Sequence, residues 1–113
     1  MAVTNSEIYE CTYHIMTIED CGKVLFDNCL FRDNGEFNMV NILRSSDISI
    51  INSEFRDNSV YMGSRLDYFF FSVSSSENIS IKNTAFISNS APSLGNTKGT
   101  VFENCVFDSN SWD

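Results

Sequence analysis

The sequence predicts an all-β fold, a right-handed parallel β-helix (solenoid) of about four to five coils, and three observations predict it. A block in which asparagine is followed three residues later by phenylalanine, and six later by a second asparagine, recurs four times. The copies agree in whole columns of side chains and not in one motif letter. They recur at steps of 24, 31 and 21 residues. A unit of that size cannot bury its own apolar face, so each copy must stack on the next.

The copies are Asn28, Phe31, Asn34; Asn52, Phe55, Asn58; Asn83, Phe86, Asn89; and Asn104, Phe107, Asn110, and they read VLFDNCLFRDN, ISIINSEFRDN, ISIKNTAFISN and TVFENCVFDSN. Before the first asparagine, the columns Val24/Ile48/Ile79/Thr100 and Phe26/Ile50/Ile81/Phe102 are apolar apart from one threonine. After it, Cys29/Ser53/Thr84/Cys105 are small and Phe31/Phe55/Phe86/Phe107 aromatic. The columns between mix charge, hydroxyl and aliphatic groups, as solvent-facing positions do. Period-2 alternation thus runs up to the asparagine, slips by one residue and resumes, which marks a corner between two short strands. Asparagine suits such a corner because it tolerates the left-handed region and its amide can bond to the asparagine one coil away. The ladders expected inside the coil are Asn28, Asn52, Asn83, Asn104 and Phe31, Phe55, Phe86, Phe107.

Each step holds about three strands of five residues plus turns. Residues 1–113 read as one domain, with a weak first coil over 1–20 and clear coils over 21–113. In that first coil, Val3, Asn5 and Ile8 precede Phe26, Asn28 and Phe31 by 23 residues. An alternative register sets Cys11 and Tyr13 under Cys29 and Phe31, and the residues do not choose between the two. A pentapeptide solenoid fails because the five-residue period dies within each block. A β-sandwich leaves the columns unexplained, and a leucine-rich repeat lacks its leucines.

The formal charge of −8, from 15 acidic and 7 basic residues, argues against a nucleic-acid partner. No basic segment followed by an apolar run marks a secretory signal, and the longest apolar run, Tyr68 to Phe71, is far below membrane-spanning length. With neither end showing an amphipathic cap over its open strand edges, the sequence reads as a segment of a larger protein. Four cysteines permit three pairings. Cys29 and Cys105 share a column about 14 Å apart, beyond disulfide reach, and read as small buried groups. Cys11 with Cys21, or with Cys29, remains open if the chain is secreted.

In a solenoid, function belongs on outward side chains and lengthened turns. The 31-residue step carries extra residues within 59–67, where Tyr61, Arg65 and Asp67 combine an aromatic, a cation and a carboxylate suited to a sugar or uronate, or else form a solvated loop. Asp33 and Asp57 share a column about one rung apart, each beside Arg32 or Arg56. They read as a two-carboxylate calcium site or as an Arg-Asp ion-pair ladder. His14 stands alone without a matching cysteine or carboxylate cluster. No catalytic set converges, and no phosphate loop or nucleophile elbow is present. Half of Tyr68, Phe69, Phe70 and Phe71 must face outward, as cover for a neighbouring loop or as a partner surface.

The four Phe-x-x-Asn copies, FRDN, FRDN, FISN and FDSN, resemble the repeats of polymorphic outer-membrane protein passengers, the β-helical adhesins of chlamydia-like autotransporters. Equally, they resemble the right-handed β-helix repeat of the pectate-lyase-like superfamily. The likeness covers Val24 to Asn110. The adhesins' companion Gly-Gly-Ala-aliphatic motif is missing, for Gly35-Glu36-Phe37 and Ser59-Val60-Tyr61 stand at its place. Likeness to the enzymes would imply calcium-bound carboxylates and a catalytic Arg or Lys on one outer face, and no residue set here matches. The expectation is a non-catalytic structural or adhesive segment of a surface or secreted protein. Its partners would be neighbouring coils of a parent chain and a carbohydrate or host cell-surface protein, with no cofactor beyond possible calcium. The alternatives are a fragment of a polysaccharide lyase or glycoside hydrolase, and a cytosolic protein-interaction solenoid.

Overall fold

A computed structural model of the chain describes residues 1–11, 15–36, 40–60, 71–89 and 93–110. Each coil turns through the same short strands. The first coil holds Ala2–Thr4 (β1), Glu7–Tyr9 (β2) and Met16–Glu19 (β3); the second Val24–Asp27 (β4), Leu30–Arg32 (β5), Gly35–Glu36 (β6) and Val40–Leu43 (β7). Ser46–Ile51 (β8), Glu54–Arg56 (β9) and Ser59–Val60 (β10) follow, then Phe71–Lys82 (β11), Ala85–Ile87 (β12), Ser93–Glu103 (β13) and Val106–Asp108 (β14). All pairings are parallel. One sheet runs β1-β4-β8-β11-β7-β3 with β13 on β11, a second β14-β12-β9-β5-β2, and a third pairs β10 with β6. The fold is the right-handed parallel β-helix, the hand that nearly all parallel crossovers take.

The pairing settles the first coil. Val3 lies against Phe26 and Ile8 against Phe31, so the copy led by Asn5 is the true one. Cys11 stands instead one rung from Asn34, its N–H donating to the Asn34 Oδ1 at 3.0 Å. The strands are also shorter than five residues on the second face, because each corner needs only one residue to turn.

That residue is left-handed at every described corner. It is Asn5, Asn28, Asn52, Asn83 and Asn104 at the first corner, Glu10, Asp33, Asp57, Ser88 and Ser109 at the second, and Asp20, Arg44 and Ser75 at the third, with φ between 47° and 56°. Left-handed backbone costs a residue with a Cβ about 1–2 kcal/mol, so a compensating bond is required. The compensation lies one residue on. After each turn a small polar or thiol side chain points inward, and its oxygen takes the backbone N–H that the turned strand of the previous coil can no longer pair.

The second corner shows the device most fully. Asn58 Oδ1 accepts from the Asn34 N–H at 3.3 Å and the Asn34 Nδ2 at 3.0 Å, while the Asn58 Nδ2 donates to Phe31 O at 3.0 Å. Asn89 and Asn110 repeat the arrangement upward. Hydroxyls act likewise at the other corners: Cys29 N–H donates to Ser53 Oγ, Ser53 N–H to Thr84 Oγ1, and Ser45 N–H to Ser76 Oγ. Among the described residues no buried side-chain nitrogen or oxygen lacks a partner. The asparagine ladder inside the coil is therefore Asn34, Asn58, Asn89 and Asn110, of which the first three are buried. Asn28, Asn52, Asn83 and Asn104 stand exposed on the outside of the first corner, a correction to the expected internal position.

The core is a set of columns. Phe31, Phe55, Phe86 and Phe107 stack with centroids 4.8, 5.0 and 5.0 Å apart and planes within 8° of parallel. Phe26 meets Phe31 edge-on across the first corner at 5.9 Å, and Phe102 meets Phe107 likewise at 5.5 Å. Val24, Ile48 and Ile79 form the next column, and Ile18, Ile42 and Val73 fill the third face. At the last described rung Phe102 and Phe107 remain 44% and 46% exposed, since no described coil lies beyond them.

Two classes of inward residue carry different costs on removal. In a denaturant melt, Phe55→Ala should lose ~3–5 kcal/mol by emptying a middle rung. Asn58→Ala should lose ~1–3 kcal/mol for each group it strands, beginning with the buried Asn34 N–H. Ser49→Ala, on the outer side of β8, should stay within about 0.5 kcal/mol. A severe Ser49→Ala beside a near-neutral Phe55→Ala would reverse the assignment of inside and outside.

Candidate functional site: the asparagine corner and its flanking ion pairs

Register locates where the coils differ in length. Six residues always carry the chain from the first-corner asparagine to the inward residue after the second corner. By contrast, four residues separate Cys11 from Met16, five separate Asn34 from Val40, and twelve separate Asn58 from Phe71, although Met16, Val40 and Phe71 share a rung column. The whole excess of the longest coil thus falls between Val60 and Phe71. Ser59 and Val60 are regular strand, paired with Gly35 and Glu36. Tyr61, Arg65 and Asp67 lie outside the described residues, as do His14, Tyr13 and Tyr68 to Phe70.

The opposite side of the coil carries an open groove of about 790 Å³ along the first corner. Asn5, Asn28, Asn52, Asn83 and Asn104 line it from end to end, with Cys29, Ser53 and Thr84 beneath and Glu7, Leu30, Glu54, Ala85 and Val106 along one wall. The amides bond along the axis: Asn28 Nδ2 donates to Asn5 Oδ1 at 2.9 Å, Asn83 Nδ2 to Asn52 Oδ1 at 3.3 Å, and Asn104 Nδ2 to Asn83 Oδ1 at 2.7 Å. Between Asn28 and Asn52 the line is broken, because Asn52 Nδ2 donates to Asp27 Oδ1 at 3.1 Å.

Both carboxylates of the groove wall are tied to arginines of the second sheet. Arg32 Nε reaches Glu7 at 2.6 Å, and Arg56 Nε reaches Glu54 at 3.3 Å. The same guanidiniums hold the corner carboxylates, Arg32 at 2.8 Å from Asp33 and Arg56 at 3.8 Å from Asp57, while Arg32 also lies 4.4 Å over the Tyr9 ring. Asp33 and Asp57 therefore stand in one column, each next to a cation. Such a donor set does not fit calcium, which needs several converging oxygens without a competing positive charge. Among the described residues no three His, Cys, Asp or Glu gather as a metal site.

All four thiols are free, so neither open pairing of Cys11 forms. Cys29 is buried and donates weakly to Val3 O and Asp27 O. A second polar recess of about 430 Å³ lies at the third corner among Arg44, Ser45, Ser46, Ser75, Ser76, Glu77 and Lys98. Arg44 bonds there to Asp20 at 2.9 Å and to Glu19. Hydrogen bonding from Arg44 holds the Asp20 carboxyl below its usual range, partly opposed by desolvation.

A depressed carboxylate pKa stabilises the fold above the ordinary carboxylate range and loses that contribution as pH falls through the lowered value. Because Asp20 is exposed, the effect on stability should be small and salt-sensitive. Carboxyl titration by NMR should show Asp20 moving up toward its ordinary value in Arg44→Ala. An unmoved titration would mean that the pair does not persist in solution.

No match to a curated protein or to a solved structure was found. A family model described as a right handed beta helix region matches residues 1–113. With that match across its full length, and with the parallel ladders just described, the chain belongs to the right-handed β-helix family.

Proposed function

We propose that the chain is a non-catalytic, structural and adhesive β-helix segment of a surface or secreted protein, presenting its outer corners to a carbohydrate or to a protein on a host or cell surface. The observation that carries this reading is the state of the groove carboxylates: Glu7 and Glu54 are each bound to an arginine. A glycoside hydrolase needs one carboxyl able to give a proton and another placed to attack or activate water. Carboxylates paired with guanidinium stay ionised and serve neither role.

A second reading, an interaction solenoid in a reducing compartment, draws on the four free thiols. Denaturing thiol titration of protein taken from its native source separates the two settings: four thiols support the reducing compartment, and a disulfide supports the secreted one.

Incubation with polygalacturonate and with neutral β-linked glucans should release neither unsaturated uronate nor new reducing ends. Turnover that disappears in Arg65→Ala or Asp67→Ala would overturn the adhesive reading in favour of a polysaccharide-cleaving enzyme.

A further inference from the structure

The first corner keeps asparagine where the backbone does not ask for it. At the second and third corners the same left-handed φ is held by Glu10, Asp33, Ser88, Asp20, Arg44 and others. At the first corner all five coils carry asparagine, and all five side chains are exposed. Backbone geometry alone accounts for a mixture of residues, not for a uniform line of amides.

We propose that this line is the docking groove for a neutral, extended, hydroxyl-rich polysaccharide strand lying parallel to the solenoid axis. The inference rests on the adhesive reading and names its ligand class and site. Each amide has two N–H donors and two carbonyl lone pairs. The bonds Asn28, Asn52, Asn83 and Asn104 make along the groove use one N–H of each, so a second donor of each is left for a ligand. The pattern repeats at the rung spacing read from the phenylalanine stack, 4.8–5.0 Å, close to the length of one pyranose unit in an extended chain. Leu30, Ala85 and Val106 on the wall offer apolar surface for the C–H faces of sugar rings.

Charge and backbone pairing decide against other occupants. Glu7 and Glu54 on the wall, within a chain of net charge −8, disfavour a polyanion. An extended peptide finds no strand edge here. The corner N–H groups of Asn5, Asn28, Asn52 and Asn83 are already bonded to Asp27 O, Ile51 O, Lys82 O and Glu103 O at 3.0 or 3.1 Å. What remains to be recognised is side-chain amide, which matches hydroxyls and not a peptide backbone.

The test is calorimetric titration with hexasaccharides of β-1,4-linked glucose, mannose, xylose and N-acetylglucosamine, and with hexagalacturonate. At least one neutral hexamer should bind and hexagalacturonate should not. Asn52→Asp with Asn83→Asp keeps residues that hold this φ at Asp33 and Asp57 but replaces amides by carboxylates. That variant should melt as the parent does and bind about tenfold more weakly, the loss expected for two hydrogen bonds. Should it fail to fold, Asn83→Ser takes its place, since Ser88 and Ser109 hold the same φ. Failure of every neutral hexamer to bind, or tighter binding of hexagalacturonate, overturns the proposal. So does unchanged affinity in the folded corner variants. If that unchanged affinity is lost on deleting residues 61–70, the adhesive reading survives with its site on the opposite corner, whereas cleavage of any hexamer overturns the adhesive reading itself.

Discussion

The structure depends on one constraint, that a chain turning corners around a dry interior must leave no backbone N–H without a partner. A left-handed residue swings the strand through each corner but takes one carbonyl out of line with the coil below. An inward side-chain oxygen on the next coil replaces it, as Asn58 does for Asn34 and Ser53 for Cys29. Every other regularity follows. The replacing oxygen must come from a short side chain, so the residue after each turn is Asn, Ser, Thr or Cys. Its neighbours then alternate in and out with no freedom of phase.

Once the corners are locked, like side chains fall above like. The phenylalanine column stacks at the rung spacing with nearly parallel planes because the backbone repeats, and the rings follow it. The corner between Val60 and Phe71 escapes this discipline, and all variation in coil length gathers there. Two sides of one coil are thereby set apart: a corner that tolerates insertion, and an opposite corner where five amides form a groove with no insertion at all. Adhesion by a repeated surface needs the second kind of geometry, since a polymer recognises spacing.

Charge on the outer face follows the same repetition. Arg32 and Arg56 stand one rung apart and each gathers two carboxylates, one beside it in sequence and one beyond, Glu7 on the rung below or Glu54 on its own strand. Acidic residues in such columns would repel one another at a spacing near 5 Å, and interleaved guanidinium offsets that repulsion. The same pairing removes Asp33 and Asp57 from metal chemistry and Glu7 and Glu54 from acid-base chemistry.

The sequence by itself determined the solenoid, the inward columns of phenylalanine and aliphatic residues, the first corner at asparagine, and the ion pairs of Asp33 and Asp57. Those are statements about residue type at a fixed period, and period is a property of the chain. It did not determine that Val3 and not Cys11 begins the ladder, because two registers were equally apolar over so short a stretch. Nor did it tell which of two asparagines, six residues apart in every block, faces inward; both tolerate the left-handed turn and both bond to their own kind. Only the tertiary structure decided that, because Asn34, Asn58 and Asn89 follow the left-handed residue while Asn28, Asn52 and Asn83 are that residue, and a side chain on the turning residue itself points to solvent.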